Sequence, residues 1–355
     1  MSNQNDANGR QSLASLQMLR GVAAMMVVVH HIGYQIERSG GHWSDHWLNA
    51  GVDLFFIISG FLMWSTTAGR NIGPLDFLRR RIVRIVPLYW VITSGVVSVS
   101  LLAPHLMQSA APDPLRILAS YLFIFMPRGN GFYVPVLGQG WTLNYEMFFY
   151  LVFAISLLFV ERRRFIVSAG LIFSMISLGL PRWNLLGGVS VYTNPIMLEF
   201  VAGMLVAMWF GSRRHSTLAP IYGKLVFLSG SIALIILATF FPEAERVLVL
   251  GIPSLLIFTG AILVEKSGSL HEMAWLRRTG DISYSVYLSH ASVLSAAAQA
   301  WRTLQAHGLS VEPLVFCLLA FVASMATGAA VYRWVELPMT RFFRAGTAAP
   351  GVTAA

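Results

Sequence analysis

From Leu13 to Trp334 the sequence returns repeatedly to apolar stretches of about 20 residues, the length a helix needs to cross a bilayer core. No long polar segment separates them. In hydrocarbon every backbone N–H and C=O must find a partner inside the protein, so single spans of this kind are helical and a succession of them forms a bundle. Composition agrees: 56% of the chain is hydrophobic and only 12% is charged, where a soluble domain carries roughly 25% charge. The expected fold class is all-α, a polytopic transmembrane helical bundle with the lipid bilayer as its main solvent.

Breaks at Pro, Gly and charged residues place candidate spans near 13–36, 48–68, 85–104, 140–160, 165–181, 195–211, 224–241, 247–264, 281–301 and 312–334, about ten crossings. A further apolar run near 115–127 is short and bracketed by Pro112, Pro114 and Pro127, which predicts an interfacial or re-entrant helix. The first run is too long for a signal-peptide core and lacks a clear cleavage site, so it is expected to remain as a helix. Residues 1–12 read as a disordered cytoplasmic N-terminus, 13–343 as one membrane domain and 344–355 as a disordered cytoplasmic tail. No internal repeat is evident.

The net charge of +9 would suit nucleic acid if it lay along one soluble face. Instead the basic residues fall in short clusters between apolar runs, which predicts no nucleic-acid partner and makes them topology signals. With 115–127 not crossing, most of the 25 Lys and Arg, including Arg79 to Arg84, Arg162 to Arg164, Arg213, Arg214, Arg277 and Arg278, collect on one side. That side is cytoplasmic by the positive-inside rule, so both termini are expected inside a bacterial inner membrane. The single cysteine, Cys317, excludes an intrachain disulfide and a cysteine metal cluster, and no metal site is expected.

Ionisable residues within hydrocarbon are costly and therefore functional candidates. Arg20 and His31 lie on the first helix, and an interval of eleven residues returns to within roughly 20° of the same face while rising about 16 Å. In this topology Asp53 and Glu146 sit about as deep from the outer boundary as His31. A neutral imidazole with a carboxylate beside it suits general-base chemistry: the ring removes a proton from a hydroxyl attacking a thioester, and the carboxylate stabilises the imidazolium. Depth alone does not choose between the two carboxylates. Arg80, Arg81 and Arg84, with Arg20, have the guanidinium geometry that grips the phosphates of a nucleotide-bearing donor such as acyl-CoA, although juxtamembrane arginines are also common anchors.

The remaining candidates are substrate-binding. Ser59 stands beside Gly60 in a small-residue pair that also suits close helix packing. Tyr287 and His290 belong to a polar run within an apolar segment, where lining and packing are both open. Trp141 is placed to stack on a sugar ring or to anchor at the interface. A transporter or flippase for lipid-linked sugars is the alternative that buried charges leave open, but it predicts inverted repeats. A structural membrane subunit gives no reason for Arg20 and His31 to share a face.

The stretches LQMLRGVAAMMVVVHH, GVDLFFIISGFLMW, RRRIVRIVPLYW, GQGWTLNYEMFFY and GDISYSVYLSH resemble, in order, the signatures of the membrane acyltransferase-3 family, and most closely its exopolysaccharide O-acetyltransferases. The resemblance runs from about Leu13 to Phe343. It implies an acyltransferase moving acetyl, or a similar acyl group, from acyl-CoA as co-substrate to a cell-envelope or secreted glycan, with no permanently bound cofactor. It also implies that His31 is the essential histidine with Arg20 its partner, and that Arg81, Arg84 and Glu146 are motif residues. Some family members carry an extracytoplasmic hydrolase-like domain. None is evident here, so the reaction is expected to finish in the membrane domain or with a partner from polysaccharide assembly machinery, a lipid-linked oligosaccharide being a natural acceptor.

Overall fold

The computed structural model describes residues 13–43, 46–104, 113–128, 132–179, 191–211, 220–309 and 311–345. Over them the chain forms helices α1 (Ala14–Glu37), α2 (Ala50–Thr67), α3 (Pro74–Leu102), α4 (Pro114–Tyr121), α5 (Trp141–Ser156), α6 (Glu161–Gly179), α7 (Leu198–Gly211), α8 (Pro220–Phe240), α9 (Ile252–Lys266), α10 (Ala274–Ala306), α11 (Pro313–Val331) and α12 (Leu337–Ala345). Among the described residues, strand is confined to a two-residue antiparallel ladder, β1 (Pro127–Arg128) on β2 (Phe132–Tyr133). The expected N-terminal segment 1–12, the tail beyond 345, Pro112, and the basic pair Arg213 and Arg214 lie outside the described residues.

Six stretches among the described residues are long and apolar enough to cross a membrane: Ala14–Glu37, His46–Thr67, Pro74–Leu102, Pro220–Phe240, Val247–Lys266 and Pro313–Phe343. The expected ten is therefore not reached on length and apolarity, for local reasons. α5 and α7 have only 16 and 14 residues, and α6 opens with Glu161 and three arginines. α10 is 33 residues long, but Ser283, Ser285, Ser289 and His290 lower its apolar character while being buried inside the protein. At eight residues α4 spans roughly 12 Å, far short of a crossing. Its start is set by Asp113, whose carboxylate accepts the Arg116 N–H at 2.8 Å, followed by Pro114 in the first turn.

Two helices begin earlier than their apolar runs. α3 starts at Pro74 and α10 at Ala274, so the arginines of both places lie within helix rather than in loops. The reason is local: Pro74 is preorganised for a first turn, and Asp76 complements the positive end of the dipole.

The chain divides into two compact units. The first comprises the residues up to His30, Ser44–Thr66 and Leu198–Ser283; the second comprises His31–Trp43, Thr67–Met197 and the residues from Tyr284 onward. In the first unit the helices approach at small residues, as membrane helices do when lipid offers no hydrophobic drive for association. A β-carbon at Gly60 of α2 would run into the Phe200 carbonyl of α7, and Phe56 stacks on Phe200 with centroids 4.6 Å apart. The first turn of α1 is held by Glu265 of α9, which accepts the Ala14 N–H at 2.7 Å, the Ser15 N–H at 3.0 Å and the Ser15 hydroxyl. An anion at a helix N-terminus satisfies orphan donors and complements the dipole.

In the second unit, α4 is tied down by polar contacts. The Tyr89 hydroxyl donates to the Ser120 carbonyl at 3.1 Å and the Trp90 indole N–H to the Tyr121 carbonyl at 3.0 Å. The buried Arg116 guanidinium donates to the carbonyls of Val134 and Pro135 at 3.4 and 3.2 Å. Phe123 adopts a positive φ of 58° and sets its ring 4.6 Å from that of Tyr89. These bonds fix the entry to α5, on which Glu146 is carried.

Candidate active site

The second unit brings His31 and His290 together. Their ring centroids are 4.9 Å apart in an edge-on arrangement with planes at 69°. His290 is fully buried on α10, and its Nδ1 lies 2.7 Å from the Tyr287 carbonyl and 3.2 Å from that of Val286. One turn back on α10, the Tyr287 hydroxyl donates to the Gln139 carbonyl at 2.8 Å and is 2.6 Å from the Thr142 hydroxyl. Gln139 Nε2 in turn donates to the Leu288 carbonyl at 2.8 Å. The tyrosine hydroxyl, expected to bind substrate, thus locks α10 to the start of α5. Trp141, half-buried, places its ring 5.8 Å from Tyr145 at 87°.

The arginine cluster of α3 separates by helical geometry. Arg81 follows Phe77 by four residues and so shares its face; its guanidinium lies 5.4 Å from the centre of the buried Phe77 ring and 5.9 Å from that of Tyr150. Both are cation–π contacts. Arg80 and Arg84 are likewise four apart, on another face, and both are exposed. Glu146 accepts the Tyr150 hydroxyl proton and lies within electrostatic reach of Arg81. Nearby on the same unit, the Tyr284 hydroxyl donates to the Ile85 carbonyl at 2.7 Å, and the Ser285 hydroxyl donates to Glu336 at 2.5 Å. Six landmarks of the sequence, His31, Arg81, Glu146, Tyr150, Tyr287 and His290, therefore belong to one folded unit.

The first unit holds the other candidates. Arg20 Nη1 donates to Gln17 Oε1 at 3.2 Å, one turn back on α1. Ser59 is buried on α2. Asp53, fully buried, receives Arg246 Nη2 at 2.6 Å, and the same nitrogen bonds the Asn49 carbonyl and Asn49 Oδ1 at 3.1 and 3.2 Å. Glu199 of α7 is buried beside Asp53 and Arg246. A short π-helical segment, Val247–Gly251, follows Arg246 directly, and such bulges often mark functional or constrained places.

Sequence reasoning missed Glu199 and Arg246. Glu199 carried the signal, a carboxylate inside an apolar run, and Arg246 directly precedes another such run. Their pairing with Asp53 carried none, because Arg246 and Asp53 are separated by 193 positions.

The family model described as an acyltransferase domain, Acyl_transf_3, matches residues 13–333. The exopolysaccharide production protein ExoZ of Rhizobium meliloti is 34% identical over 320 residues, covering 89% of this chain and 96% of that protein. The O-acetyltransferase OatA of Staphylococcus aureus is 28% identical over 214 residues, 56% of this chain and 32% of OatA. The putative peptidoglycan O-acetyltransferase YrhL of Bacillus subtilis is 27% identical over 373 residues, 94% of this chain and 56% of YrhL. No solved structure matches.

Proposed function

We propose, for a chain that belongs to the acyltransferase-3 family of membrane acyltransferases, that it is an O-acetyltransferase carrying acetyl from acetyl-CoA to a hydroxyl of an exopolysaccharide or cell-envelope glycan, or of its lipid-linked precursor. The family match decides between the enzyme and the transporter alternatives. The likeness to ExoZ over nearly the whole of both chains favours an exopolysaccharide acceptor, and the likenesses to OatA and YrhL favour acetyl as the group transferred. The protein sits in the bacterial inner membrane with both termini cytoplasmic, so that acyl-CoA arrives from the side rich in arginine.

The observation that carries the mechanism is the packing of His31 against His290 in the unit that also holds Arg81 and the Glu146–Tyr150 pair. His31 removes the proton of the acceptor hydroxyl as its oxygen attacks the thioester carbonyl. The C–S bond breaks, CoA leaves as the thiolate, and His31 returns the proton to sulfur. Arg81, assisted by the exposed Arg80 and Arg84, meets the phosphates of the donor, which a guanidinium fork matches. Glu146 is the carboxylate assigned to this unit, and Asp53 is assigned to holding Arg246. Trp141, in the same unit as Glu146, is an acceptor-side contact.

The test is incorporation of radiolabelled acetyl from acetyl-CoA into glycan by the purified protein in lipid vesicles. Incorporation that disappears in His31→Ala, at unchanged expression and folding, supports the reading. Glycan that crosses the vesicle membrane without acquiring label, or full transfer by the variant, contradicts it. In cells, deletion of the gene removes an ester-linked substituent from the secreted or envelope polysaccharide.

A further inference from the structure

Of the two imidazoles, His290 is the one whose hydrogen-bonding state the backbone dictates. Its Nδ1 faces the carbonyls of Tyr287 and Val286, and a carbonyl only accepts, so Nδ1 carries the ring proton. The neutral ring then presents a lone pair at Nε2. That atom is fully buried and has no hydrogen-bond partner among the described residues. A buried acceptor left unpaired is costly, and in native structures it calls for an explanation. The backbone bonds of Nδ1 do not supply one, because serine or asparagine would make them without the orphan nitrogen.

The imidazole packed against His290 is that of His31, at 4.9 Å between centroids and with planes at 69°. An N–H···N bond of about 3 Å between nitrogens sets two imidazole centres at a similar separation once the ring radii are added. We propose that His290 is a positioning residue for His31: its Nε2 accepts a hydrogen bond from the His31 ring when that ring takes up the proton of the acceptor hydroxyl, fixing the ring and spreading the new positive charge. This rests on the assignment of His31 as the base. The acceptor O–H bond breaks with its proton passing to His31, the O–C bond forms, and the C–S bond breaks with its electron pair on sulfur. The proton that His31 took from the hydroxyl then passes from the same nitrogen to the thiolate, so the pair ends as it began. His290 touches neither donor nor acceptor and acts through His31, in the way that a second group orients a catalytic base elsewhere.

Two replacements separate this role from a packing one. His290→Asn keeps an N–H toward the Tyr287 carbonyl and deletes Nε2. His290→Gln restores an acceptor oxygen near the Nε2 position. In acetyl transfer by the purified protein in vesicles, His290→Asn is expected to lower kcat at least tenfold with KM for acetyl-CoA and for the glycan unchanged, and His290→Gln to recover part of the loss. Wild-type kcat in His290→Asn, or a loss confined to KM, overturns the proposal. Should His290→Asn not fold, nitrogen-15 NMR of histidine-labelled wild type and His31→Asn decides: the His290 Nε2 resonance moves between the two if the rings are coupled, and an unmoved resonance overturns the coupling. A fully active His31→Asn sinks the base itself, whereas an inactive His31→Asn beside a fully active His290→Asn sinks only this proposal.

Discussion

The two units treat their intramembrane ionisable groups in opposite ways. Around Asp53 one guanidinium serves two carboxylates: fully buried Asp53 is gripped by Arg246 at 2.6 Å, and buried Glu199 lies alongside with neither carboxylate oxygen hydrogen-bonded among the described residues. Around His31 the groups are titratable imidazoles, one of them pinned by backbone carbonyls with a nitrogen left over. A charge compensated by a dedicated partner holds helices in place. An imidazole beside another imidazole is equipped to receive a proton. Cost in hydrocarbon marks both regions as special, and only the identity of the partner tells structure from chemistry.

Arg246→Ala breaks the comparison at its strongest point. It leaves Asp53 and Glu199 without their cation, and removal of one partner of a buried pair costs about 3–5 kcal/mol. Thermal unfolding in detergent should show a large fall in midpoint, partly restored when Asp53→Asn is added. An unchanged midpoint would mean that the pair is solvated and not structural. Arg81→Ala should act the other way, on activity: loss of a charge-assisted bond to a phosphate, about 1.5–3 kcal/mol, raises KM for acetyl-CoA by about tenfold or more. Steady-state kinetics across acetyl-CoA concentrations measures it, and an effect on kcat alone would move Arg81 away from the donor.

Packing supplies the smaller effects. Gly60→Ala pushes a β-carbon into the Phe200 carbonyl, and overpacking of this kind costs about 1–3 kcal/mol. Gly95→Ala on α3, where a β-carbon meets nothing within 4 Å, should change stability by about 0.5 kcal/mol or less. Unfolding midpoints of the two proteins measured together provide the check, and equal shifts would show that close helix approach does not limit the first unit.

The helical character of the chain was legible because hydrocarbon permits little else, and the short α4 was legible from its bracketing prolines. The number of crossings was less so, since helices such as α10 bury serines and a histidine within the protein and lose the apolar signature that counts a span. α3 and α10 begin ahead of their apolar spans, because the arginines near each N-terminus are helical without being apolar. At the site, His31, His290 and Glu146 could be nominated one by one from their cost in the membrane. What the sequence could not supply was pairing. Glu146 was grouped with His31 by depth, and the contacts that the fold gives it include Tyr150 and Arg81. Depth puts Asp53 level with Glu146, and nothing in the sequence links Asp53 to the guanidinium 193 positions away that the fold sets on it.

The most direct test sets His31→Asn beside Asp53→Asn and reads acetyl transfer and thermal midpoint on both purified proteins. The account predicts that His31→Asn keeps its midpoint and loses transfer by about two orders of magnitude or more, while Asp53→Asn loses midpoint and keeps transfer per folded molecule. Transfer surviving in His31→Asn, or vanishing in a stably folded Asp53→Asn, would contradict it.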